Sequence, residues 1–201
     1  MKKISTLYKK SPDDLSVVIN EVNEENSWVF SEGIPTRKWD GSACMIKNGR
    51  LYKRLDVKLW KKKRGKVIKF TEEQLKAKKP IGAIPCQDAD KISGHHPHWV
   101  LCDRDKPEDK YHFEAFDHLE VWEDGTYELI GEKINGNHEK VKGHMLIPHG
   151  EDVLPLYDFS FESIRTFLSN PKLDIEGIVF HNKNDGRMCK IRKCDFGIKR
   201  I

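Results

Sequence analysis

Short runs of β character, parted by turn residues, recur along the whole of this chain, and they constrain its fold more than any other feature. The apolar and β-branched stretches fall at 16–20, 43–46, 50–52, 67–70, 99–102, 111–118, 120–122, 126–130, 177–181 and 188–192. Asn48-Gly49 and Asp124-Gly125 lie between such runs, and both pairs favour the tight turn of a two-residue hairpin. Helical periodicity is scarcer. Residues 71–79 open on a Thr with Glu73 and Gln74 in the first turn, and 160–169 align Phe161, Ile164, Phe167 and Leu168 on one stripe before Pro171. Strands in excess, with few helices between them, predict an α+β fold of antiparallel sheets rather than a doubly wound parallel one.

A length of 201 residues predicts one domain spanning 1–201. With 37% hydrophobic residues, 34% charged residues and a mean hydropathy of -0.68, no stretch approaches the roughly 20 apolar residues of a membrane span. Lysines at the N-terminus are followed by Asp13 and Asp14 with no apolar segment between, which argues against a signal peptide and predicts a cytoplasmic protein. The five cysteines, Cys44, Cys86, Cys102, Cys189 and Cys194, form no CxxC pair and are expected to stay reduced. A net charge of +4 permits a polyanionic partner. The cations concentrate at 53–79, around Trp60, in a run that suits a phosphate backbone or equally a solvated face.

Chemistry enters with Lys38-Trp39-Asp40-Gly41-Ser42, expected in a loop before the strand at 43–46. An amine attacks phosphorus only as the free base, a state that neighbouring cations or desolvation favour. Gly41 would let backbone approach a nucleotide. Arg54 follows on a strand and can reach a ribose or phosphate if that strand returns beside the lysine. Alternation then sets Glu128 opposite Tyr127 and Leu129, puts Glu176 at the head of an apolar strand, and gives Lys190 and Arg192 one strand face. Carboxylates suit a hard divalent cation on phosphate oxygens, and the cations suit charge building on phosphorus and on departing pyrophosphate.

In that order, the Lys-x-Asp-Gly, arginine, Tyr-Glu-Leu, Glu-Gly-Ile-Val-Phe and Lys-x-Arg-Lys segments resemble the covalent nucleotidyltransferase superfamily of ligases and capping enzymes. The stretch from Tyr127 to Asn137, and Gly94-His95-His96-Pro97-His98-Trp99-Val100, look most like the compact ATP-dependent 5′-3′ RNA ligases. The likeness covers about 36–196. It implies a nucleotidyltransferase, ATP-grasp-like core of antiparallel sheets with flanking helices, and no separate C-terminal OB domain. It implies Lys38 as the adenylated nucleophile, Asp40 and Gly41 as its positioning partners, and Arg54 on the ribose and 5′-phosphate. Glu128 would hold the ribose or a metal-bound water, Glu176 the divalent metal, and Lys190 and Arg192 the α-phosphate. Thr36 and Arg37 fall in the nucleotide-binding segment, and Thr36 stands where DNA ligases often carry an acid that reads adenine. Arg192 stands where many ligases carry lysine.

The implied partners are ATP, Mg²⁺ or Mn²⁺, and RNA ends bearing a 5′-phosphate and a 3′-hydroxyl. Three in-line displacements would follow: AMP to Lys38, AMP to the RNA 5′-phosphate, and attack by the 3′-hydroxyl with release of AMP. A GTP-dependent mRNA capping guanylyltransferase uses the same lysine chemistry but normally carries an OB module. A non-catalytic RNA-binding module would leave the motif order unexplained. Pro97 interrupts His95, His96 and His98 and no finger spacing follows, which argues against a zinc site. Trp99 reads as core.

Overall fold

A computed structural model describes residues 2–200. Its strands are β1 (Ser5–Thr6), β2 (Tyr8–Lys10), β3 (Val18–Val22), β4 (Ile34–Lys38), β5 (Ser42–Lys47), β6 (Arg50–Asp56), β7 (Trp60–Lys63), β8 (Lys66–Lys69), β9 (Ile84–Pro85), β10 (Pro97–Leu101), β11 (Gly125–Gly131), β12 (His144–Pro148), β13 (Gly177–His181) and β14 (Met188–Arg192). The helices are α1 (Val29–Glu32), α2 (Glu72–Lys78), α3 (Lys110–Asp117) and α4 (Phe161–Ser169). The fold is mixed α+β, mostly sheet with few helices. No helix among the described residues is long and apolar enough to cross a membrane, and the five cysteines are unbridged.

The chain divides into two compact units, residues 1–3 with 41–148 and residues 4–40 with 149–201. In the first unit, six strands run in the order β12-β11-β5-β6-β10-β9, antiparallel at every pairing. Cys44, Ile46, Leu51, Tyr127, Leu129 and Leu146 project from one face and close on Ala115, Phe113 and Phe116 of α3. In the second unit, four strands run β1-β14-β13-β4, with β1 parallel to β14 and the rest antiparallel. Ile178, Phe180 and Ile191 of that sheet pack on Ile164 and Leu168 of α4, with Leu7 and Tyr8. Each unit thus buries an apolar sheet face against helix, α3 in the first and α4 with Val29 of α1 in the second.

Several expectations hold closely. Strands β13 and β14 span the residues anticipated, β5, β6, β8, β10 and β11 fall within a few residues of theirs, and Asn48-Gly49 closes the β5–β6 hairpin. Helix α2 begins on Thr71, whose hydroxyl accepts from Gln74 N at 3.3 Å while the Gln74 side chain accepts from Thr71 N at 3.1 Å, a complete capping box. Others fail. Residues 111–118 form α3 and not a strand, because Phe113, Phe116 and Leu119 recur at helical spacing and all meet the first core. Residues 120–122 are not a strand. Trp122 stacks on Phe116 at 6.2 Å, and Asp124 accepts from Asn48 N at 2.8 Å instead of turning a hairpin. Lys38 ends strand β4 rather than lying in a loop. Pro35 disguises that strand, yet β4 is an edge of its sheet, where a missing N–H is tolerated.

Candidate active site

Register gathers the candidate residues of the second unit. Gly177 of β13 pairs with Lys38 of β4 on one side and Arg192 of β14 on the other, and Val179 pairs with Thr36 and Lys190 in the same way. Paired residues in antiparallel strands project to one face, so Thr36, Lys38, Lys190 and Arg192 share a face, with a bare glycine between Lys38 and Arg192. The opposite face carries Ile178 and Ile191 into the core. A Cβ on Gly177 would overlap the Ile191 carbonyl oxygen and stand 2.6 Å from Arg192 Cα, so the close approach of β13 to β14 requires glycine here.

Glu176, just before β13, accepts a hydrogen bond from Lys38 Nζ at 2.5 Å, and both side chains are about one-fifth exposed. Burial pushes the Glu176 carboxyl above its usual range despite Lys38, and Asp40 adds to that rise. Burial also depresses the Lys190 ammonium, and the charges of Arg192 and Lys38 press it further, down to about 8. A partly buried amine whose value falls to about 8 lies within reach of physiological pH, and the raised Glu176 carboxyl beside Lys38 is a stronger proton acceptor than an ordinary carboxylate.

The sequence reading missed three residues. Asp195 is wholly buried, accepts from Arg192 N at 2.8 Å and Arg192 Nη2 at 2.9 Å, and accepts from Lys10 Nζ at 2.7 Å. Asp195 caps the short turn that follows Arg192, but arginine is not a capping residue, so neither Asp195 nor Lys10 carries a sequence signal. Arg200 is the third. Its Nη1 stands 3.6 Å from Asp40 Oδ2, and its Nε donates to Asp174 Oδ1 at 2.8 Å. Thr36 is buried and donates its hydroxyl to Val179 O at 3.0 Å. Arg37 alternates to the face away from Lys38, and its guanidinium lies 3.8 Å over the Trp39 ring.

The remaining candidates belong to the first unit. Tyr127 and Lys53 both pair with Cys44 and face α3, so Glu128 and Arg54, one residue on, share the other face of that sheet. Glu128 is nearly buried, at 9% exposure. Gly41 has a packing role: a Cβ there would overlap the Leu129 carbonyl oxygen and lie 2.8 Å from Glu128 Cγ, while its own carbonyl accepts from Asn135 Nδ2 at 2.8 Å. Gly41→Ala should therefore lower stability by about 1–3 kcal/mol, the range for overpacking, measurable as an earlier urea midpoint. An unchanged midpoint would contradict the close packing.

Among the described residues no group of three or more His, Cys, Asp or Glu side chains stands ready to hold a metal ion. A magnesium ion does not require one, since one or two carboxylates, waters and substrate phosphates complete its shell. Glu176 offers the type of hard oxygen donor that such an ion takes. Compared with known proteins, the chain matches no family model and no curated protein.

Proposed function

We propose that the chain is an ATP-dependent RNA ligase of the covalent nucleotidyltransferase kind, with Lys38 as the residue that takes AMP. The observation that carries this reading is the Lys38 and Glu176 ion pair on the sheet face that also bears Lys190 and Arg192. An amine, a carboxylate within hydrogen-bond reach of it and two further cations are the parts that nucleotidyl transfer needs. Lys38 Nζ forms the bond to the α-phosphorus of ATP as the bond to pyrophosphate breaks. Within the ion pair Lys38 must first yield a proton, for which Glu176 is the nearest acceptor, to become the free amine that attacks; the second proton leaves to solvent as the phosphoramidate forms, and Lys190 and Arg192 offset charge on the phosphoryl oxygens. A divalent ion held by Glu176 and the phosphates would add Lewis-acid stabilisation. Glu128 and Arg54 enter this reading through the order of the sequence motifs alone. AMP then passes to an RNA 5′-phosphate, and a 3′-hydroxyl displaces it.

The test is incubation with α-labelled ATP or GTP and Mg²⁺ or Mn²⁺, denaturation, and a search for label on the chain. Label from ATP is expected on the wild type and absent from Lys38→Ala. Label from GTP alone would mark a capping guanylyltransferase instead. Folded protein free of prior AMP that takes label from neither would end the reading.

A further inference from the structure

Strands β7 and β8 form a two-stranded arm of the first unit, separate from its six-stranded sheet. Lys61, Lys62, Lys63, Arg64, Lys66 and Lys69 line it, all exposed, and among the described residues none has an anionic partner. Register pairs Lys63 with Lys66 and Lys61 with Ile68, so three of these lysines share one face. Like charges this dense repel one another across the ladder, which opposes the fold unless an external anion absorbs them.

The turn points the same way. Arg64 and Gly65 have φ of +50° and +77°, nearly the values of Asn48 and Gly49 in the β5–β6 hairpin, +50° and +69°. Asparagine is at home in the left-handed region and arginine is not. The arm thus holds a cation at its tip against the backbone's preference.

Its aromatic residues are already engaged at the base. Trp60 lies against Gly94, where a Cβ would come within 2.6 Å of the indole nitrogen, and Lys78 Nζ stands 3.1 Å from the Phe70 ring centroid. Residues 61–69, the exposed length of the arm, include no aromatic side chain on which unpaired bases could stack, and single-strand binders depend on such platforms.

We propose that the β7–β8 arm grips the phosphate backbone of a double-stranded RNA end, independently of sequence. This rests on RNA as the substrate in the reading above, but not on the lysine chemistry. Binding of a 5′-phosphorylated RNA duplex, followed by fluorescence anisotropy between 50 and 200 mM KCl without ATP, tests it. Replacing Lys61, Lys63 and Lys66 together by Gln should flatten the slope of log K against log salt by up to about 2.7, at 0.9 per lost phosphate contact. Arg64→Asn should flatten it by about 0.9 while keeping or raising Tm, since asparagine suits the turn. Unchanged slopes, or tighter binding of the single strand than of the duplex, would overturn the proposal. Labelling of Lys38 by ATP in the absence of RNA should be the same in both variants. Duplex binding that responds to these substitutions in a chain that takes no label would remove the ligase chemistry and leave the arm standing. Label with unchanged slopes would remove the arm alone.

Discussion

Replacing Lys190 by methionine should stabilise the protein at pH 7 by about 1–2 kcal/mol and, on the function proposed above, abolish labelling by ATP. The sign follows from linkage. A base whose folded-state value lies at about 8, below its ordinary 10.5, carries a penalty in the folded state wherever it is protonated, and the penalty disappears as pH rises from about 8 past 10.5. The full shift corresponds to about 3.4 kcal/mol at 1.36 per unit, and water reaching the partly exposed side chain reduces that. The charges concerned are those of Arg192 and Lys38, which disfavour the ammonium, and of Glu176 and Asp195, which favour it. Urea denaturation at pH 7 and pH 10 should show the variant ahead at the first and most of that lead gone at the second. A variant that is less stable at pH 7 would mean that the ammonium is well satisfied where it stands.

Asp195→Ala should act in the opposite direction, lowering stability by about 2–3 kcal/mol. Removing one partner of a buried ionic network typically costs 3–5 kcal/mol, but Lys10 and Arg192 are 27% and 31% exposed and can turn toward water. The Arg192 N–H also loses its acceptor. Burial by itself would raise the Asp195 carboxyl, but hydrogen bonds from Arg192 and Lys10 outweigh it and hold the group below the usual carboxylate range. Its contribution is therefore complete above the ordinary aspartate value of 3.8 and fades as pH falls through the lower folded value. Thermal melts of wild type and variant should converge at strongly acidic pH. A gap of equal size at every pH would show that Asp195 acts through shape rather than charge.

Strands buried on one face, such as β13 and β14, were legible because their alternation or apolar runs admit few other readings, and so were the capping box at Thr71 and the Asn-Gly turn. Residues 111–118 were misread because Tyr111, Phe113 and Ala115 alternate as a strand would, while Phe113, Phe116 and Leu119 also recur as a helix would. Only the core they meet decides between the two periods. Strand β4 was hidden by Pro35, and β12 is likewise an edge strand ending in Pro148. For the candidate site, the shared face of Lys190 and Arg192 could be read locally. The contact of Lys38 with Glu176 spans 138 residues and that of Lys10 with Asp195 spans 185, and no local pattern encodes such pairings.

The second unit is sewn from both ends of the chain: Lys10 and Lys38 come from residues 4–40, and Glu176, Lys190 and Asp195 from residues 149–201. During synthesis from the N-terminus, β4 must wait for β13, the strand it pairs with, and for β14 beyond it to emerge. Lys38 therefore meets Glu176 late, and a nascent chain carries the proposed nucleophile without its carboxylate partner. On the proposed function, ATP would find no competent lysine until these strands have paired, and covalent labelling of this residue would also time the completion of the fold.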